Sequence, residues 1–363
     1  SGLSAGYLWF QNSELSETLN QQIITKSEAD LINMIELQAQ NYSIQLREKE
    51  REVNLIASFL SEQVQIATSQ QAESNTYQTI NHPTGWKTNL AEDELGLAIS
   101  PLAECSPEMI QRQNAVYSIL PFLRSIHFTD PTIRSTFIVT SDQTGLIYPN
   151  RFWPDGEYTS PTNPDYTARS YYQETNTIRW SDPYLDIDPE ITVVTVTAPI
   201  LVDGQKYGIV GIDFTINTIL STILETKVGE QGFLFLLGSD GQIIALPELA
   251  AGWLVENTSR IAPEHYYDQA INQFVSDEVK ENFDNSNLVD ILQIGGSGIF
   301  QTHLISGDAY IALSPLDDVP WYMAVVLPVA ETTSFMNQVG DLISQNTSVI
   351  YFLLAFTLVG FFI

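Results

Sequence analysis

The sequence predicts an α+β chain: one long N-terminal helix, then two tandem antiparallel-sheet domains, ending in a truncated transmembrane helix. Three observations carry this. Residues 7–82 contain neither glycine nor proline, and their apolar positions recur at helical spacing. Beyond them, short β-rich runs alternate with turn residues, and the order strand, turn, strand, helices, three strands occurs twice. Last, residues 348–363 (SVIYFLLAFTLVGFFI) are wholly uncharged and apolar.

The helix is expected over residues 15–69, as Leu31, Ile35, Tyr42, Leu46, Val53, Ile56 and Leu60 are spaced by threes, fours and sevens. At 1.5 Å per residue it would run roughly 80 Å. Its apolar stripe has two uses, packing on its own domain or pairing with a second protomer, and a homodimer through this helix is expected. The charged run at residues 47–51 reads as solvated i,i+4 pairing. Residues 76–106 are polar and turn-rich and read as an irregular connection. Residues 108–124 read as a second helix.

Strand-like runs follow at 136–140 and 146–149, joined by a turn at Ser141-Asp142-Gln143-Thr144-Gly145. Two longer runs, 191–201 and 207–214, are joined by Asp203-Gly204, a favoured hairpin turn. Residues 215–226 are read as a helix leading out of the first domain. The second domain starts near Gly229, with strands expected at 233–237 and 242–246 around Ser239-Asp240-Gly241. A helix-rich excursion at 263–284 comes next, then strands at 298–302, 309–314 and 321–327. The organisation read from the chain is therefore a membrane-helix end at 1–10 and a stalk helix at 11–72. A first, membrane-distal domain occupies 73–225, a second, membrane-proximal one 226–335, and a juxtamembrane segment with the start of a second span 336–363.

Sixteen apolar residues at 348–363 fall short of the roughly 20 that cross a bilayer. Residues 1–10 end in Tyr-x-Trp-Phe, the aromatic type enriched at membrane interfaces. No lysine or arginine occurs before Lys26 or after Lys280, so the positive-inside rule places both membrane ends outward. The chain is then expected to be an extracytoplasmic segment held between two spans.

Among 363 residues, 44 Asp and Glu face 15 Lys and Arg, a formal charge of −29. That balance excludes nucleic acid as a partner, because there is no basic stripe to neutralise phosphates. Cys105 is the single cysteine, so no intrachain disulfide is possible. The four histidines are scattered without the spacing of a metal site, and no metal or cofactor is expected. The acidic run at 186–190 lacks the frame of a calcium loop and reads as a solvated turn. A Gly-x-Ser-x-Gly match at residues 2–6 has no strand before it and reads as chance.

The informative stretch is 165–214. It contains Arg169-Ser170-Tyr171-Tyr172, then Trp180-Ser181-Asp182-Pro183-Tyr184, and closes on Gly211-Ile212-Asp213-Phe214. A guanidinium can hold a carboxylate with two hydrogen bonds. An aspartate can pair with an ammonium group while aromatic rings exclude water. The structural alternative ties Arg169 to Asp165 or Asp182. Tyr171 and Tyr172 are consecutive, so one is expected to line a pocket while the other packs. Trp180 reads as core, and Asp182 with Pro183 as a turn.

This stretch resembles the ligand-binding half of the double CACHE (dCACHE_1-type) extracytoplasmic sensor domains of prokaryotic transmembrane receptors: chemoreceptors, histidine kinases and nucleotide cyclases. The resemblance implies two PAS-like domains, of which the distal one binds and the proximal one transmits. Carried over by position, the ligand-binding residues are Arg169, Tyr171, Tyr172, Tyr184 and Asp213, with Tyr171 where the family usually has tryptophan. The implied function is sensing of a small ligand, an amino acid or a related amine or carboxylate, for chemotaxis or another signalling output. The segment itself is not expected to be an enzyme, since no nucleophile–base–acid set is present. The competing reading is a ligand-independent interaction or scaffold ectodomain.

Overall fold

The computed structural model describes residues 2–68, 77–150 (91 and 105 excepted), 164–186, 191–215, 223, 226–255 (242 and 251 excepted), 276–284 and 287–332. Helix α1, Gly2–Thr68, is continuous over 67 residues; from residue 7 on it follows the interval without glycine or proline, and it starts earlier than the expected residue 15. The chain divides into two compact units. The first spans Ile44–Leu220; the second combines Ser1–Ser43 with Ser221–Ile363.

The seven stripe residues Leu31, Ile35, Tyr42, Leu46, Val53, Ile56 and Leu60 are all buried. Val53, Ile56, Ala57, Leu60 and Val64 fall at i, i+3, i+4, i+7 and i+11, one face of a helix, and are at most 2% exposed. The stripe therefore packs within the units.

In the first unit the strands are β1 (Ile80–Asn81), β2 (Lys87–Thr88), β3 (Gly96–Ile99), β4 (Ile133–Thr140), β5 (Thr144–Tyr148), β6 (Arg179–Trp180), β7 (Tyr184–Leu185), β8 (Thr192–Val202) and β9 (Gln205–Thr215). Among the described residues these form one sheet in the order β1-β2-β3-β5-β4-β9-β8-β6, with β7 also on β8. The segment expected to be irregular at 76–106 thus contributes three short strands. Gly96-Leu97-Ala98-Ile99 carries no polar alternation because all four residues are buried, so the usual sign of a strand is missing. Where one helix was expected at 108–124 there are two, α2 (Pro107–Tyr117) and α3 (Leu120–Thr129). Ser106 caps α2, its Oγ accepting from the Met109 amide at 3.1 Å. Pro121 lies in the first turn of α3, where a missing N–H costs little. A further helix, α4 (Ser170–Glu174), is a single turn after β5.

The β8–β9 hairpin turns on Asp203 (φ 50°) and Gly204 (φ 74°). Both are left-handed, as the two-residue turn that matches strand twist requires.

The second unit holds β10 (Lys227–Val228), β11 (Gly232–Gly238), β12 (Ile243–Ala245), helices α5 (Asp277–Asp284) and α6 (Leu288–Ile294), then β13 (Gly298–Leu304), β14 (Gly307–Pro315) and β15 (Trp321–Pro328). Its strands run β12-β11-β15-β14-β13. The first unit repeats this path as β5-β4-β9-β8 followed by β6 and β7. The duplication expected from the sequence is thus a shared, PAS-like strand order. Phe233, Phe235, Leu237, Ile311, Leu313 and Val326 form much of the second core.

Among the described residues no helix is long and apolar enough to cross a membrane. The span expected at 348–363 and the juxtamembrane segment lie outside the described residues. So do most of the helix expected at 215–226, residues 263–275 of the excursion, and the acidic run beyond Asp186.

Candidate functional site

One cavity of about 500 Å³ in the first unit is lined by Arg169, Tyr171, Tyr184 and Asp213. Four of the five residues singled out from the sequence are therefore gathered on one hollow. The fifth, Tyr172, is not in the lining. It is 4% exposed and packs with Trp86, Val139 and Ile209. The segment is a helical turn rather than a strand, and successive residues on a helix point about 100° apart, so the pair still diverges.

Asp213 lies on β9 with Ser135 of β4 and Thr195 of β8 as its cross-strand partners. The Ser135 hydroxyl donates to Oδ2 at 2.6 Å and the Thr195 hydroxyl to Oδ1 at 2.7 Å. The Tyr184 phenol donates to Oδ1 at 3.3 Å and shares a 2.7 Å hydrogen bond with Thr195. Asp213 is only 5% exposed. Among the described residues no lysine, arginine or histidine pairs with it. Burial pushes its carboxyl up to about 6, against the lowering by the three hydroxyl donors.

Arg169 stands where a 3-10 turn (Tyr166–Ala168) hands over to α4. Asp165 caps that turn, accepting from the Thr167 amide at 2.8 Å. The guanidinium lies 4.4 Å from the centroid of the Tyr166 ring, and Nη1 donates to the Tyr171 hydroxyl at 3.0 Å. Neither Asp165 nor Asp182 forms an ion pair with it among the described contacts; the rings of Tyr166 and Tyr171 are among its partners. Tyr171 meets Phe137 edge-on at 5.9 Å, and burial raises the pKa of its phenol.

Sequence reasoning missed the residues that hold this segment in place. Gln143 sits in the β4–β5 turn with φ 62°. Its amide donates to Asp165 at 2.7 Å and accepts from the Tyr166 N–H at 2.9 Å. Lys206 of β9 donates from Nζ to the Tyr172 carbonyl at 2.8 Å and the Thr175 carbonyl at 3.3 Å, and lies 4.7 Å from the Tyr172 ring centroid. A cation at the last carbonyls of a helix satisfies acceptors that have no helical partner. Alternation along β4, which puts Ser135, Phe137 and Val139 on one face, was the signal that could have found the Asp213 donors. Trp180 is core as expected, and its Nε1 donates to Glu50 at 3.0 Å.

The arrangement offers, on one hollow, a cation with a phenol and a buried carboxylate ringed by hydroxyls. Among the described residues no cluster of three or more His, Cys, Asp and Glu could hold a metal ion.

The profile of the double Cache family dCache_1, a Cache domain, matches residues 15–336. Over 122 residues the chain is 29% identical to the methyl-accepting chemotaxis protein PctB of Pseudomonas aeruginosa, covering 32% of this chain and 19% of PctB. Over 168 residues it is 28% identical to the methyl-accepting chemotaxis protein McpA of Bacillus subtilis, covering 44% of this chain and 24% of McpA. The match thus spans about a fifth to a quarter of the length of these relatives. The ligand-binding domain of the Pseudomonas fluorescens chemoreceptor CtaA superposes with a TM-score of 0.52 in its complex with L-isoleucine, at 16% identity over 87% of this chain and 98% of that one. Its complex with L-leucine gives 0.51, at 17% identity over 86% and 99%.

Proposed function

Because the chain belongs to the double Cache domain family, we propose that it is the extracytoplasmic sensing segment of a transmembrane receptor and that its first unit captures a small zwitterion. The ligand class is an amino acid or a related amine or carboxylate. A shared fold at such low identity leaves the ligand to be argued from side chains. One observation carries that argument: a buried carboxylate with no countercharge among the described residues, Asp213, lines the same hollow as the Arg169 guanidinium.

A buried charge needs a partner. An ammonium group supplies it to Asp213, with Tyr184 beside it, while Arg169 and Tyr171 take the carboxylate. The cavity volume of about 500 Å³ falls within the roughly 300–1,000 Å³ usual for small-molecule sites. Tyr172 contributes by packing α4 onto the sheet. Ligand binding draws the Arg169 and Asp213 sides of the cavity together, a population shift that needs only differential affinity for the two states. The output that follows belongs to parts of the receptor outside this chain.

Titration calorimetry with a panel of amino acids tests the reading. Arg169→Ala and Asp213→Ala should each weaken binding on the order of 100-fold, as truncating a buried charge partner does. Silence across the panel by a folded protein would sink the sensor-pocket assignment and return the scaffold reading.

A further inference from the structure

Part of the cavity lining, its floor, is an apolar strip of sheet, bounded on the β8 side by the hydroxyls of Thr195 and Thr197. Strand register sets Phe137 opposite Ile147 and Gly211, and Val139 opposite Gly145 and Ile209. Ala98 of β3 pairs with Gly145 in turn. These positions share a sheet face with Asp213, because side chains alternate along a strand. Ala98, Phe137, Val139 and Ile147 all line the cavity.

The two glycines shape that floor. A methyl group on Gly211 would overlap the Phe137 ring, and one on Gly145 would overlap the Tyr166 ring. The aromatic rings lie across bare backbone, leaving the space above them open.

Three of the four charged residues that line the cavity besides Arg169 and Asp213 are committed elsewhere. Arg179 pairs with Glu174, and Arg134 Nε holds Asp186 at 2.5 Å. Asp182 at the mouth is exposed to water. A charged ligand side chain laid on the floor would lose hydration without gaining a counterion.

Resting on the zwitterion reading above, we infer that the ligand carries an apolar side chain, branched aliphatic or aromatic, seated on Ala98, Phe137, Val139 and Ile147. Recognition then has three parts: Arg169 for the carboxylate, Asp213 for the ammonium, and this floor for the side chain. The first two admit amino acids as a class, and the third chooses among them.

Calorimetric titration of the wild-type protein at neutral pH with L-leucine, L-phenylalanine, L-alanine, L-aspartate and L-lysine separates the two layers. Each buried methylene is worth about fourfold in affinity. Leucine or phenylalanine should therefore bind at least about tenfold tighter than alanine, and tighter by a similar factor than aspartate or lysine. Val139→Thr keeps shape and adds a hydroxyl, so it should weaken leucine several-fold and by a clearly larger factor than alanine. If alanine, aspartate or lysine binds as tightly as leucine, the apolar-floor inference fails while the zwitterion pocket stands. If Val139→Thr weakens alanine and leucine alike, the floor does not read the side chain. If no member of the panel binds, both readings fall.

Discussion

At the scale of single residues, Asp213 joins function to a cost in stability. Its carboxyl titrates at about 6 in the folded chain against 3.8 when unperturbed. The native state therefore holds its proton more tightly than the unfolded state, and stability falls as pH rises through that interval. Below about pH 4 the penalty vanishes; above about pH 6 it reaches about 3 kcal/mol. Asp213→Asn should raise the unfolding free energy of the ligand-free protein at pH 7.5 by up to that amount, with little change at pH 4, while amino-acid binding is lost. Urea unfolding at the two pH values checks it, and an equal effect at both would contradict the assignment. An ammonium ligand needs the ionised form, so affinity should drop about tenfold per pH unit below 6, readable by calorimetry between pH 5 and 7.5. How far these residues were legible in the sequence follows from their chemistry. Arg169 beside two tyrosines and an aspartate ending an apolar strand are unusual enough to be seen. Ser135 and Thr195 are ordinary strand residues, and only the register that sets both opposite Asp213 makes them donors. Gln143 was hidden for another reason: a left-handed residue in a hairpin turn is expected to be glycine or asparagine.

At the scale of elements, α1 touches the back of the binding sheet. Lys49 pairs with Asp130 and lies 5.4 Å from the Phe214 ring centroid, while Glu50 accepts from Trp180. Phe214 follows Asp213, and Trp180 stands between Arg179 and Ser181, all three of those neighbours being cavity residues. Two consecutive residues of the long helix thus grip the ring pair, 6.0 Å apart, that backs both sides of the site. Trp180→Phe and Glu50→Ala should each cost at least about 1 kcal/mol, and the double variant should cost less than their sum, because one hydrogen bond is removed twice. Strict additivity in urea unfolding would show that the tie carries no energy. Lys206→Met removes the cation from the end of α4 and should weaken ligand binding several-fold, for about 1–2 kcal/mol of folding free energy. Long elements such as α1 and the β8–β9 hairpin were legible because their periodicity runs over many residues. The break between α2 and α3 and the four-residue β3 were not, since each turns on one or two backbone positions that tertiary packing decides.

At the scale of the whole molecule, the face of α1 left uncovered bears on assembly. The residues on which the stripe was first read are buried within the units, so that stripe is unavailable for pairing. A different face remains: Ile44, Leu55 and Ile66 are 51%, 57% and 44% exposed. They are spaced by elevens, which on a 3.6-residue helix keeps them on one narrow line, drifting about 20° per step. We propose that the homodimer expected from this helix forms along that line, since a straight apolar ridge can meet its own copy across a two-fold axis. The charge of −29 on each chain opposes that approach, and salt screens it. Light scattering should therefore show the dimer fraction rising between about 0.05 and 0.5 M salt, where the screening length falls below about 10 Å. Leu55→Glu should leave a monomer at every salt concentration. Because Leu55 is exposed, the same variant should change the unfolding free energy of the monomer by no more than about 0.5 kcal/mol. An unchanged dimer fraction in Leu55→Glu would place any association on another face, and a large loss of monomer stability would mean that Leu55 belongs to the core of its own unit after all.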